Sequence, residues 1–285
     1  EAGGRTGAVA SRAPAGPPAE ERQEETTMTE LPHRLDRTVI IQASREIVFG
    51  FFTHDDRWAA WWGTGSTIDP RPSGQLRICY PDGTKASGEV LEVVTPERIV
   101  FTMGFDSGKP IAPGDSRVTL RLEAIGAGTK LHLSHEFAES HVRDEFVQGW
   151  RYQLSVFANL VADRIHSGAA DVVDAWFAAW SEPNEDARKA AFARMIAPTV
   201  QFRDRYSLVE GLTDLVAHTG AAQRFMNVRL TRQGALRHCQ GMVVVDWIAV
   251  AGDGQERGSG TNVFTLGPES RIETVTGFWN PARGR

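Results

Sequence analysis

Residues 142–165 read VRDEFVQGWRYQLSVFANLVADRI, and the apolar members Phe146, Trp150, Leu154, Phe157 and Val161 recur at spacings of four, four, three and four. That periodicity gathers all five on one face of an α-helix. At 1.5 Å per residue such a helix is about 36 Å long, enough to lie across an antiparallel sheet. The sheet is readable immediately upstream, as strand-like runs over residues 75–80, 85–94, 98–105, 117–122 and 129–137. Pro81-Asp82-Gly83, Thr95-Pro96-Glu97 and Gly126-Ala127-Gly128 separate them with turn chemistry suited to hairpins. Before them, residues 37–42 read as a strand. Ser44 then stands at the N-cap position of an apolar-rich helix carrying Ile47, Val48, Phe49, Phe51 and Phe52, and Trp58, Trp61 and Trp62 follow. The expected unit over residues 35–166 is α+β: an antiparallel sheet around one long C-terminal helix, with aromatics on the facing surfaces.

Downstream, Ser167-Gly168-Ala169-Ala170 interrupts the stripe and reads as a linker over residues 167–170. Helical segments over residues 172–180 and 186–196 follow, separated by Ser181-Glu182-Pro183-Asn184. A strand at 199–203 leads to a helix at 212–225, and strand runs at 235–250, 260–266 and 271–279 finish the chain. Helices first and a curved antiparallel sheet afterwards make a second α+β unit over residues 171–285. Residues 1–34 are rich in Ala, Gly, Pro, Arg and Glu and lack the apolar stretch of a secretory signal. They read as a disordered extension, with Met28 a candidate start.

Composition excludes several function classes. A formal net charge of −5 over 285 residues leaves no basic stripe for nucleic acid and no attraction to anionic lipid. No apolar run approaches the ~20 residues that span a bilayer, so a cytoplasmic protein is expected. Cys79 and Cys239 fall in different halves, which argues against a disulfide framework, and no Cys/His set has zinc spacing. His132 and His135, three apart on a strand, face opposite sides and form no metal site. Without a phosphate loop or a dinucleotide fingerprint, no cofactor is expected.

Several motifs across residues 35–165 are those of one family. They are Trp61-Trp62, Asp69-Pro70-Arg71-Pro72-Ser73-Gly74, the run Gly88-Glu89-Val90-Leu91-Glu92-Val93, Pro96-Glu97-Arg98-Ile99-Val100-Phe101, Gly128-Thr129-Lys130-Leu131 and Gly149-Trp150. On these the first unit resembles the START-like helix-grip superfamily of polyketide cyclases and pollen-allergen-type proteins, and within it homologues of the activator of the Hsp-ninety ATPase. Ser73 stands where that family usually has a second Gly. Nothing here resembles the additional domain of the eukaryotic co-chaperone, so chaperone activation is not implied. The second unit, through Val200-Gln201-Phe202-Arg203-Asp204, Thr261-Asn262-Val263-Phe264 and Gly277-Phe278-Trp279, resembles the SnoaL-like, ketosteroid-isomerase and nuclear-transport-factor-two-like superfamily. That resemblance implies a cone-shaped α+β barrel, with a general base at Asp204. It places Asn262 and Trp176 where the steroid isomerase has its oxyanion Asp and Tyr, so both oxyanion donors are replaced by other hydrogen-bond donors. The Asp-Arg-Asp set of the epoxide-hydrolase variant cannot be assembled around Asp246.

From the residues themselves, Asp204 continues the apolar strand face of Val200 and Phe202, where desolvation would raise its pKa toward the range useful for proton abstraction. Its alternative is a salt bridge to Arg203 or Arg205, or a cap on the turn before Tyr206-Ser207. His238 and Gln240 share a strand face that Met242, Val244 and Asp246 continue. They read either as a polarising or proton-relay group or as the polar layer of a dimer interface, and the second reading is favoured. His218 reads as a partly exposed helix residue. Phe202, Phe264, Trp176 and Trp279 are the expected apolar walls of the second cavity. In the first unit Trp61, Trp62, Phe101 and Trp150, with Phe137 and Phe157, line a cavity or simply fill the core. His135 is the one polar group on the inward face, as a ligand contact or a hydrogen-bonded core residue. The expected function is binding of a small hydrophobic molecule, with Asp204, Asn262 and His238 performing isomerase-, cyclase- or dehydratase-like proton transfer. The alternative is a non-enzymatic stress or interaction module whose second unit forms a homodimer.

Overall fold

The computed structural model describes residues 30–281; most of the extension read at the N-terminus, Met28 included, lies outside them. Regular structure starts with β1 (His33–Ile41), two residues ahead of the expected boundary at Leu35. Two short helices follow, α1 (Arg45–Gly50) and α2 (Asp55–Trp62). Ser44 occupies the N-cap of α1 with extended backbone, but its side chain makes no capping hydrogen bond. The strands then run β2 (Thr67–Ile68), β3 (Gln75–Cys79), β4 (Lys85–Val94) and β5 (Arg98–Thr102). They continue as β6 (Gly104–Phe105), β7 (Ser116–Ile125) and β8 (Gly128–Phe137), before the long helix α3 (Ser140–Ile165). The sheet has eight strands in the order β1-β8-β7-β5-β4-β3-β2, with β6 paired to β4.

Alternation along β8 shows why the sheet grips the helix. Leu131, Leu133, His135 and Phe137 are buried while the residues between them are half-exposed. The opposing face of α3 buries Trp150, Leu154, Phe157 and Val161, four members of the stripe that defines it. Phe52 and Trp61, from the α1–α2 region, close on the Phe157 ring at centroid distances of 5.1 and 4.9 Å. Aromatic pairs in these offset and edge geometries add to the burial of their own area.

The second half consists of α4 (Ala169–Trp180), α5 (Glu185–Met195), β9 (Ile196–Arg203), β10 (Leu208–Glu210) and α6 (Gly211–Met226). Then come β11 (Val228–Cys239), β12 (Met242–Ala251), β13 (Glu256–Leu266) and β14 (Ile272–Trp279). Their sheet has six strands in the order β10-β9-β14-β13-β12-β11, with β14 and β9 parallel and the other neighbours antiparallel. Ala169 and Ala170, read above as linker, form the first turn of α4. The breaker before α5 works as a cap, because Asn184 Oδ1 accepts the Ala187 backbone N–H at 2.9 Å.

One reading is overturned in a way that matters for the site. The run over residues 235–250 is a hairpin, not one strand: Gln240 (φ 48°) and Gly241 (φ 84°) both take left-handed backbone and reverse the chain between β11 and β12. Two left-handed residues are what the tightest hairpin turn requires. His238 therefore pairs across the ladder with Val243, and shares no strand face with Asp246.

His238 also turns out to join the two halves. Its Nδ1 lies 2.7 Å from Asp163 Oδ1 on α3, and its Nε2 lies 3.2 Å from His166 Nδ1, just past the end of that helix. His166 Nε2 reaches the Gly267 carbonyl at 3.0 Å, Ser270 Oγ donates to the Ile165 carbonyl at 2.9 Å, and the Gln240 N–H donates to Asn159 Oδ1 at 3.3 Å. Of the polar pair expected at an interface between subunits, the His238 side chain is thus engaged within the chain, and Gln240 contributes its backbone N–H. Burial draws the His166 pKa below its ordinary value, and the Gly267 carbonyl opposes it.

Candidate functional site

The end of β9 delivers Asp204 to a cavity of about 240 Å³ enclosed by α4, α6 and the concave side of the second sheet. Trp176 and Trp180, one helical turn apart on α4, form one wall with Phe202 from β9. Trp247 and Trp279, from β12 and β14, form the opposite side. Polar residues in the lining include Asp204, Asn262 and His218, with Tyr206, Ser207 and Gln223 beside them.

Each carboxylate oxygen of Asp204 accepts one N–H. Oδ1 takes the Tyr206 backbone N–H at 2.8 Å, and Oδ2 takes the Trp279 indole N–H at 3.0 Å. Asp204 is half-buried, so the desolvation expected of it is partial. It makes the turn cap foreseen as its alternative role and lines the cavity as well.

Asn262, 6% exposed on β13, receives the Trp247 indole N–H at 2.9 Å. An indole nitrogen can only donate, so the atom facing it is the amide oxygen. The NH₂ group is turned away from Trp247, with no protein acceptor among the described residues, and Asn262 lines the cavity. An amide side chain carries two N–H donors on that group.

His218 on α6 was read as a partly exposed helix residue; it stands in the cavity wall against the Trp180 and Phe202 rings, 5.6 Å from each. Burial draws its pKa below the ordinary histidine value, and the charge of Asp204 works in the opposite direction. Trp180 lines the same cavity with its indole N–H buried and unpartnered. Its spacing from Trp176 on an amphipathic helix was the available signal for it. Nothing local marked Trp247 or His218.

Of the residues expected around this cavity, Trp176, Phe202, Asp204, Asn262 and Trp279 come together. Phe264 does not reach it: it is fully buried behind the wall, with its ring 5.8 Å from Trp176. His238 stands at the junction with Asp163 and His166, outside the cavity lining.

A second cavity, of about 550 Å³, opens between α2, α3 and the first sheet. Trp61, Trp62 and Trp150 line it as expected, joined by Tyr80, Phe105, Phe146 and Gln153. Gln153 donates to the Trp61 carbonyl, which ties α3 to α2. Phe101 is fully buried against Trp58 and does not line it. His135 lies behind the wall: the Trp150 indole donates to Nδ1 at 2.9 Å, so Nε2 carries the proton and donates to Ser116 Oγ at 2.7 Å. Ser116 Oγ donates onward to the Met103 carbonyl at 2.6 Å. Burial pushes the His135 pKa down to about 3, which keeps the ring neutral in this chain of bonds.

The fold and its two cavities define a chain of two α+β cups, each with an aromatic-lined hollow. Residues 42–162 match the family model described as Activator of Hsp90 ATPase homolog 1-like protein, the likeness read from the motifs of the first unit. Among solved structures similar to the chain is one of the SnoaL-like family from Agrobacterium tumefaciens, at 24% identity, covering 41% of this chain and 99% of that one with a TM-score of 0.38. CalU16 from Micromonospora echinospora is 27% identical, covering 44% of this chain and 75% of that one with a TM-score of 0.37. The Aha1 dimer from Colwellia psychrerythraea is 15% identical, covering 42% and 90% with a TM-score of 0.38. Among curated proteins, none matches this chain in sequence. No helix among the described residues is long and apolar enough to cross a membrane.

Proposed function

We propose that the cavity of the second half binds a small, largely apolar carbonyl compound and moves a proton on it, in isomerase-, cyclase- or dehydratase-like chemistry. Asp204 takes a proton from the carbon beside the carbonyl. The electron pair freed from that C–H bond moves to the carbonyl oxygen, where the Asn262 NH₂ group receives the developing charge. Return of the proton to another carbon gives an isomer; loss of a hydroxide β to the carbonyl gives a dehydrated product, with the proton leaving as water. His218 lines the same cavity with its pKa lowered by burial, and would carry a proton between Asp204 and the ligand.

The observation that carries this reading is the convergence of an acceptor, Asp204, and a donor, Asn262, in a largely apolar space, each held by its own tryptophan. The first half binds or shields ligand in its own cavity, and the protein works in the cytosol, where Cys79 and Cys239 remain free thiols. A second reading has one observation in its favour. The Tyr206 N–H on Asp204 Oδ1 is what a purely structural turn cap would make, and the chain would then be a non-enzymatic ligand or partner module that dimerises.

The test begins with native mass spectrometry of the protein exposed to a cell extract, which identifies the retained compound. Deuterium incorporation into that compound is then followed with the wild type and with Asp204→Asn. Incorporation lost in the variant, with binding retained, supports the catalytic reading. Equal incorporation sinks it in favour of the module.

A further inference from the structure

The cavity between α2, α3 and the first sheet differs in charge from its counterpart, and the difference bears on what it holds. Seven aromatic residues line it: Trp61, Trp62, Tyr80, Phe105, Phe146, Trp150 and Tyr152. Two carboxylates, Asp82 and Glu145, stand among the lining residues, and no Lys, Arg or His of the described residues does. Arg143, near Glu145 in sequence, is already paired with Asp144 at 2.7 Å.

Asp82 is fixed as an anion, since the Thr84 backbone N–H donates to Oδ1 at 2.9 Å and holds the carboxyl below its usual range. Its field reaches into the hollow: the Tyr80 hydroxyl is pushed up first by burial and then by the Asp82 charge. Apart from Tyr152 the rings form a continuous set, with Trp62 5.7 Å from Trp150 and 5.8 Å from Tyr80, Tyr80 6.2 Å from Phe105, and Phe105 6.0 Å from Phe146. A ring face attracts a cation through its quadrupole, and carboxylates at the mouth add a monopole of the same preference. An anion would meet both as repulsion, and a neutral ligand would draw on neither.

We propose that this cavity takes a hydrophobic organic cation, a quaternary or protonated amine bearing an aryl or alkyl group. The cationic head lies near Asp82 and Glu145, and the apolar part lies against the indoles. The inference rests on the reading of this hollow as a ligand site and adds the charge of the ligand. A net charge of −5 over the chain favours the approach of such a ligand as well.

The test uses the full chain and three probes of matched size, with binding read from tryptophan fluorescence. They are benzyltrimethylammonium, its uncharged isostere neopentylbenzene, and the anion phenylmethanesulfonate. The expected order is cation first by at least about tenfold, then isostere, then anion. In the double variant Asp82→Asn/Glu145→Gln, whose changes keep the side-chain shapes, the cation loses most of that advantage and the isostere binds as before. An isostere as tight as the cation in the wild type overturns the charge preference and leaves the apolar site standing. A preference undiminished in the double variant overturns the assignment to this cavity. Absence of binding by all three overturns the ligand reading together with the inference.

Discussion

Trp247 and Trp279 meet edge to face, with ring centroids 5.0 Å apart at 88°, and each gives its indole N–H to a different polar group of one cavity. Trp247 sets the amide of Asn262, and Trp279 holds Oδ2 of Asp204. The donor and the acceptor that would act on a ligand are therefore positioned by a single packed pair.

Trp247→Phe keeps a ring at that contact and deletes the N–H. Asn262 Oδ1 is then left buried without its donor, at a cost of about 1–3 kcal/mol. Trp279→Phe does the same to Asp204 Oδ2, less severely because that carboxylate is half-buried. Because the rings touch, the double variant is expected to cost less or more than the sum of the singles by at least about 0.5 kcal/mol. Urea unfolding of the four proteins measures this, and strict additivity would refute the coupling.

Gly260 makes room for Trp247. A Cβ there would stand 2.2 Å from the Phe278 carbonyl oxygen and 2.6 Å from Trp247 Cζ2. Gly260→Ala must therefore move backbone or displace the indole, with an expected loss of about 1–3 kcal/mol. Gly149 in α3 is the contrast, since a Cβ there meets nothing within 4 Å. Gly149→Ala is expected to stabilise by about 0.5–1 kcal/mol through helix propensity. Thermal melts of both variants check the opposite signs.

His135 makes stability fall with acid. Its folded pKa is about 3, below the 6.5 of a free histidine, so the unfolded chain takes up this proton first as pH drops. The stability attached to the neutral ring is fully present above about pH 6.5 and declines toward pH 3, on the order of 1.4 kcal/mol per unit. His135→Gln removes that slope while losing ring packing. Denaturation midpoints at pH 7, 5.5 and 4.5 should converge for the variant and wild type as pH falls. Parallel curves would show that other groups carry the acid sensitivity.

Asp163, His166 and His238 fasten the end of α3 to the β11–β12 turn. His238→Ala removes the central link and is expected to expose the short turn after Ile165 to protease, with global stability lowered by about 1–3 kcal/mol. Limited proteolysis with mass mapping reads this directly. Cleavage no faster than in the wild type would show that the remaining bonds, from Ser270 and Gln240, suffice.

Much of the fold was readable because it is local. The stripe from Phe146 to Val161 could only be one helix face, and the alternation of Leu131, Leu133, His135 and Phe137 could only be one strand face. The break between α4 and α5 was read from Ser181-Glu182-Pro183-Asn184 in the same way, though not that Asn184 caps α5. The hairpin at Gln240–Gly241 was missed because its flanks, residues 235–239 and 242–250, are both strand-like and only two residues separate them. Reading through that turn put His238 and Asp246 on one face, and the candidate site inherited the error.

Sequence by itself determined that this chain makes two sheet-and-helix cores rich in aromatics, with Asp204 at the end of an apolar strand and Asn262 on another. Periodicity carries that much, since it says which side of an element is apolar. Only the tertiary structure decided which elements meet: that His218 joins Asp204, that Trp247 and Trp279 orient the two polar groups, and that His238 belongs to the junction with α3. Those partners lie tens of residues apart, and their meeting depends on how whole sheets twist and pack, which no local pattern encodes.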